Sequence, residues 1–114
     1  MTTRPAIDRE ELLERLGGDR ELVGEILGLF DDECVAMLDA IEHAVRAADA
    51  PRLERAAHTL KGALLNISAG PGAEIAATLE ELGHAGSVQG AEAPLGSLRG
   101  AMERLRRELQ AVSA

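Results

Sequence analysis

The sequence predicts an all-α protein, an antiparallel four-helix bundle with a short additional N-terminal helix. Three observations carry the prediction. Apolar residues recur every three or four positions through four long segments, and no segment shows the period-two alternation of a half-buried strand. Phe30 is the one aromatic among 114 residues, so the core must be built from Leu, Ile, Val, Ala and Met, which favours helices over sheet. Aspartates at helix starts and Gly or Pro at helix ends divide the chain at short intervals. The length suits a single domain spanning residues 1–114.

Each element has its own signals. Asp8 with Glu11 three residues later reads as a capping box, opening a short helix over about residues 8–16 that closes at Gly17-Gly18. Asp19 caps a second helix, about 20–48, interrupted only by Gly24 and Gly28 and striped by Val23, Ile26, Phe30, Cys34, Met37, Ile41 and Val45. At 1.5 Å per residue it is a rod on the order of 40 Å long. Asp49, with Pro51 two residues on, starts a third helix over about 50–68, with the stripe Leu53, Ala57, Leu60, Leu64 and Ile67. Gly70-Pro71-Gly72 reads as a break. A fourth helix over about 72–85 carries Ile75, Ala76, Leu79 and Leu82 and frays at Gly83 to Gly86. After a loop from Ser87 to Ala93, a last helix over about 93–112 presents Leu95, Leu98, Met102, Leu105, Leu109 and Val112. Short connections make the four long helices antiparallel, with the first helix capping one end. Alanine pairs such as Ala56-Ala57 and Ala76-Ala77 allow close helix approach.

Charge excludes several functions. Twelve basic residues face twenty acidic ones, a net of −8, which argues against a nucleic-acid binder that must neutralise phosphates. Phe30, the one aromatic, falls on a core stripe and leaves nothing to stack on bases, which argues equally against a single-strand platform. No apolar run approaches the roughly 18 residues of a membrane span. The opening stretch MTTRPAIDREELLERL lacks the apolar core of a signal peptide, and the one cysteine, Cys34, fits a reducing compartment, so a cytoplasmic protein is expected. The first fifty residues hold 5 basic and 13 acidic side chains, whereas the rest hold 7 of each. That asymmetry reads first as a solvated acidic face and second as a surface for a basic partner.

The third helix holds the chemistry. With His58 set at zero on a helical wheel, the core stripe falls between about 180° and 260°, so His58 points away from the core. Its face is shared by Lys61 at about 300°, Gly62 at about 40°, Leu65 at about 340° and Arg55 at about 60°. Lys61, the one lysine beside eleven arginines, lies one turn after the imidazole, and Arg55 lies one turn before it. Two such cations disfavour the protonated ring, keep a nitrogen lone pair available near neutral pH, and can stabilise an anion bound there. Gly62 costs about 1 kcal/mol relative to Ala in a helix interior, which makes sense if something approaches the backbone beside His58. Leu65 is an apolar side chain on a polar face, suited to docking a partner.

The segment His58-Thr59-Leu60-Lys61-Gly62, preceded by Ala57 and followed by Asn66 and Ala69, resembles the signature of histidine-containing phosphotransfer (HPt) domains. Helix order and spacing extend the resemblance over nearly the whole chain, while its specific part is about thirteen residues. The resemblance implies that His58 accepts a phosphoryl group from a receiver-domain aspartate and passes it to another receiver in a multistep two-component relay. It implies further that the chain is a phosphocarrier rather than an enzyme and binds no cofactor. The receiver then supplies Mg²⁺ and most of the charge stabilisation. Lys61 would pair with the phosphoryl oxygens, with Arg55 a second candidate, and Gly62 and Leu65 would admit the receiver. Glu80, 22 positions after His58, resembles a polar position that in some members lies near the histidine; a solvated helix glutamate is its simpler reading. The implied partners are receiver domains and a hybrid histidine kinase, met by a monomer. The chain departs from the family pattern at Ala63, Leu64 and Leu65, where small or hydroxyl residues are common, and at Ser68, where glycine is common. These departures bear on which partner fits.

The remaining polar residues carry weaker signals. His43 reads as a surface residue and His84 as a histidine at a helix C-terminus, where a partial positive charge suits the dipole. The histidine spacings do not suggest a zinc site, and nothing suggests the strained elbow of a hydrolase. Two rival functions follow from the same residues. One is an HPt-like adaptor that binds a receiver or histidine kinase without being phosphorylated; the other is a hydrolase using His58 as general base.

Overall fold

The structure, a computed structural model, describes the backbone of residues 4–113 and the side chains of residues 4–110. Among the described residues it contains five helices and no strand: α1 (Arg9–Arg15), α2 (Arg20–Arg46), α3 (Ala50–Asn66), α4 (Gly70–His84) and α5 (Glu92–Ser113). The four long helices form a closed ring in which α2 packs on α3, α3 on α4, α4 on α5 and α5 back on α2. The molecule measures 42 × 31 × 22 Å, and its long axis matches the roughly 40 Å expected for the 27 residues of α2.

Three aspartates start three helices by one device. Asp8, Asp19 and Asp49 each accept a hydrogen bond from the backbone N–H three residues on, from Glu11, Leu22 and Arg52. At α1 the box is half made. The Asp8 N–H donates to the Ser68 carbonyl at 2.9 Å, so Glu11 has no reciprocal role and instead lies 3.9 Å from Arg15. That bond belongs to a wider attachment of the N-terminal segment. The Ala6 and Ile7 N–H groups donate to the Glu108 carboxylate, the Arg9 guanidinium donates to the Glu108 carbonyl, and Arg15 donates to the carbonyls of Leu65 and Asn66. Guanidinium groups thus satisfy carbonyls near the C-terminal ends of α5 and α3, and α1 closes that end of the bundle.

The core follows the predicted stripes closely in α3 and α5. Leu53, Ala57, Leu60, Leu64 and Ile67 are buried, as are Leu95, Leu98, Met102, Leu105 and Leu109. Val112 lies outside the described side chains. In α2 the buried line is Leu27, Phe30, Cys34, Ile41 and Ala44, flanked by half-buried Val23, Ile26, Met37, Leu38 and Val45. The Cys34 thiol donates to the Asp31 carbonyl at 3.3 Å, and burial raises its pKa, so it remains an unreactive core thiol.

The fourth helix departs from expectation at both ends. Gly70-Pro71-Gly72 is its first turn rather than a break preceding it, because proline is tolerated where the N–H has no helical partner. At the other end, Gly83 does not fray: it is buried in the helix, which continues to His84. A Cβ at Gly83 would lie 2.6 Å from the Glu54 backbone nitrogen and 2.8 Å from the Ala50 carbonyl oxygen. The glycine lets α4 rest directly on the backbone of α3. Together with buried Ala73 and Ala76 it makes α3 and α4 the most intimately packed pair. Ser68 has φ 59°, the left-handed position just past a helix end that glycine occupies most readily, so the family's common glycine there has a conformational reason.

Candidate functional site

The close packing of α3 on α4 sets facing side chains within hydrogen-bond reach. His58, in the middle of α3, is 67% exposed, and its Nδ1–H donates to Glu80 Oε2 of α4 at 2.6 Å. The other carboxylate oxygen, Oε1, receives the Lys61 ammonium at 2.5 Å. One carboxylate therefore joins the imidazole to the lysine one turn further along α3. Glu80 is only 20% exposed, which restricts the orientations open to both partners. Hydrogen bonding from Lys61, and next from His58, holds its carboxyl below the ordinary glutamate range, so Glu80 is ionised at neutral pH. An ionised carboxylate can only accept, which assigns the ring proton to Nδ1 and leaves the lone pair of the neutral imidazole on Nε2.

This geometry revises two expectations. The Nε2 lone pair follows from the bond that Nδ1 makes to Glu80 rather than from two flanking cations. Glu80 is also more than a solvated glutamate, since it bonds both His58 and Lys61. Arg55 has no side-chain hydrogen bond or ion pair among the described residues, nor does it bond a neighbouring glutamate; it lines a shallow groove with His43, Arg52 and Thr59. The structure brings together His58, Lys61 and Glu80 and leaves Arg55 aside.

The surface around His58 is open. A Cβ at Gly62 would meet nothing within 4 Å, so the bundle itself has no packing need for glycine there. Leu65, one turn beyond, is 52% exposed. Beside them a groove between α2 and α3 is lined by Ile26, Leu29, Phe30, Met37 and Ala63, with Leu29 largely exposed. The groove also takes in Glu33 and Asn66, so its lining is mixed, and it brings residues of α2 to the flank of α3, a contribution that the wheel of α3 alone could not reveal.

A second pair was missed by sequence reasoning. His84, at the last residue of α4, donates from Nδ1 to Glu54 Oε2 of α3 at 2.7 Å. The spacing held the signal: Glu54 and His58 are four apart on α3, and Glu80 and His84 are four apart on α4. Antiparallel packing pairs each histidine with the glutamate of the opposite helix. Among the described residues no group of three or more His, Cys, Asp or Glu side chains is placed to hold a metal ion, and no helix is long and apolar enough to cross a membrane.

Comparison with known proteins bears on the fold and the family. The chain is similar in structure to the histidine-containing phosphotransfer protein B (HptB) from Pseudomonas aeruginosa PAO1, with a TM-score of 0.86 and 24% sequence identity over 96% of this chain and 95% of that one. At that identity the likeness speaks for the fold. No curated protein sequence matches it significantly. The family model described as Hpt domain matches residues 25–114, a span that holds His58, Lys61, Gly62 and Glu80 and leaves out α1 and the first turn of α2. The chain therefore belongs to the Hpt domain family, the phosphocarrier modules of histidine phosphorelays.

Proposed function

We propose that His58 is the phosphoryl acceptor of a multistep two-component relay, taking the group from a receiver-domain aspartate and passing it to a second receiver. The observation that carries this reading is the imidazole of His58, exposed to solvent with Nδ1 engaged by Glu80 and Nε2 free. In the transfer step the Nε2 lone pair attacks phosphorus in line with the aspartyl oxygen. The new N–P bond forms as the P–O bond breaks, and the aspartate leaves as a carboxylate. The ring gains positive character, which the Nδ1–H bond to ionised Glu80 offsets. Lys61 is within a turn of the incoming group and exchanges part of its contact with Glu80 for the phosphoryl oxygens. Catalysis here is positioning of a nucleophile of fixed tautomer. The Mg²⁺ and the remaining charge stabilisation come from the receiver, and this chain contributes no cofactor.

The receiver docks over Gly62 and Leu65, where a bare backbone and an exposed apolar side chain lie beside His58. The chain acts as a cytoplasmic monomer between a hybrid histidine kinase and a response regulator. Arg55, free of other partners, is a secondary contact for the receiver or the phosphoryl group. Mixing the protein with a phosphorylated receiver tests the reading. Acid-labile, alkali-stable label is expected on the protein and lost in His58→Gln. Label of that kind surviving the substitution removes His58 as acceptor, and binding without label makes the protein an adaptor.

A further inference from the structure

The Glu54–His84 pair repeats the geometry of the His58–Glu80 pair one turn away along the α3–α4 contact, toward the start of α3 and the end of α4. Its imidazole is 80% exposed, more so than His58, and the same ring nitrogen, Nδ1, is held by a carboxylate of the opposite helix at 2.7 Å against 2.6 Å. The carboxylate side is set by the backbone: Gly83, next to His84, lies against the Glu54 nitrogen, so neither helix can slide without parting the pair. His43, the third histidine, is exposed on α2, and its side chain makes no hydrogen bond or ion pair among the described residues.

We infer that His84 is a second phosphoryl-accepting imidazole, which takes a phosphoryl group on Nε2 from a small phosphoramidate or acyl phosphate donor. With Nδ1–H donated to Glu54, the lone pair lies on Nε2 and faces solvent. It attacks phosphorus, the N–P bond forms, and the donor's ammonia or carboxylate leaves with the electron pair of the broken bond. The positive character gained by the ring is shared through Nδ1–H with Glu54. No lysine bonds Glu54 as Lys61 bonds Glu80, so the group on His84 is less well held and is lost to water sooner than the group on His58.

The test is independent of the relay. The His58→Gln protein is treated with phosphoramidate, and alkaline peptide mapping with ³¹P NMR follows each histidine. Phosphohistidine is expected at His84 at a rate at least about threefold that of His43, the unpaired control. Glu54→Gln, added to His58→Gln, is expected to bring His84 down to the rate of His43 with the circular dichroism spectrum unchanged. Equal labelling of His84 and His43, or no effect of Glu54→Gln, overturns the proposal and makes the pair a clamp between helices. Failure of receiver-to-His58 transfer touches the relay reading alone, because neither the donor nor the residue is shared.

Discussion

The two histidine–glutamate pairs on α3 and α4 have nearly the same bond and different surroundings. His58 lies in mid-helix, so a further turn of α3 supplies Lys61 three residues on and Gly62 four residues on. His84 ends α4, and the corresponding positions, Ser87 and Val88, fall beyond the helix and cannot share its face. The glycines differ as well: a Cβ at Gly62 would enter open space, whereas one at Gly83 would strike the backbone of α3. A carboxylate that orients an imidazole is thus common to both pairs. The first differs by its extra helical turn, which under the proposed relay role would supply a cation for the phosphoryl group and a bare backbone for a receiver's approach.

Removing the cation is expected to have the largest effect. Lys61→Ala leaves the Glu80–His58 bond in place and takes away the ammonium, making the first site resemble the second. Receiver-to-His58 transfer should slow, or the phosphohistidine should decay faster, on the order of tenfold, the scale of one charge-assisted contact at a partly exposed site. Circular dichroism should be unchanged. Unaltered kinetics would mean that Lys61 is irrelevant to the difference between the pairs, and loss of helix would make it a structural residue.

Gly83→Ala attacks the second pair through the backbone. The added methyl would meet atoms of Glu54 and Ala50 at 2.6 and 2.8 Å, and because these are main-chain atoms the helices must separate. A loss of about 1–3 kcal/mol in urea unfolding is expected, with the small gain in helix propensity unable to offset it. Gly62→Ala should do the reverse. Stability rises by about 1 kcal/mol because the methyl is unopposed, while receiver binding weakens because the approach beside His58 narrows. A variant that is stabilised and still binds its receiver normally would remove Gly62 from the docking surface.

The legible parts of this molecule were those that a single helix encodes. The α3 stripe placed His58, Lys61, Gly62 and Leu65 on one face, and three aspartates marked three helix starts by their side-chain caps. What escaped depends on two helices at once. Gly83 reads as a breaker until α3 is seen lying against it. Glu80, named only through the family resemblance and otherwise readable as a solvated glutamate, is turned toward both His58 and Lys61 by the packing. Arg55 shows the converse, since a cation one turn from the imidazole on the wheel is left without a bond to it. The first turn of α4 misled for a local reason: Gly-Pro-Gly breaks a helix interior but is compatible with a helix start.

Acid titration gives the smallest expected effect, because solvent still screens a partly exposed ion pair. The Glu80 carboxyl has a lower pKa in the folded protein than in the unfolded chain, with Lys61 the chief cause. A depressed carboxyl stabilises the fold fully above the unfolded glutamate pKa of about 4.3, and that contribution disappears as the pH falls through the lower folded value. Stability of the wild type and of Glu80→Gln should therefore differ at pH 7 and converge toward pH 3, as read from urea midpoints. Lys61→Ala should shift the wild-type acid limb toward higher pH, since the carboxyl then titrates nearer its ordinary value. An acid limb unmoved by Lys61→Ala would show that the imidazole alone holds Glu80, and the lysine would no longer distinguish the two pairs electrostatically.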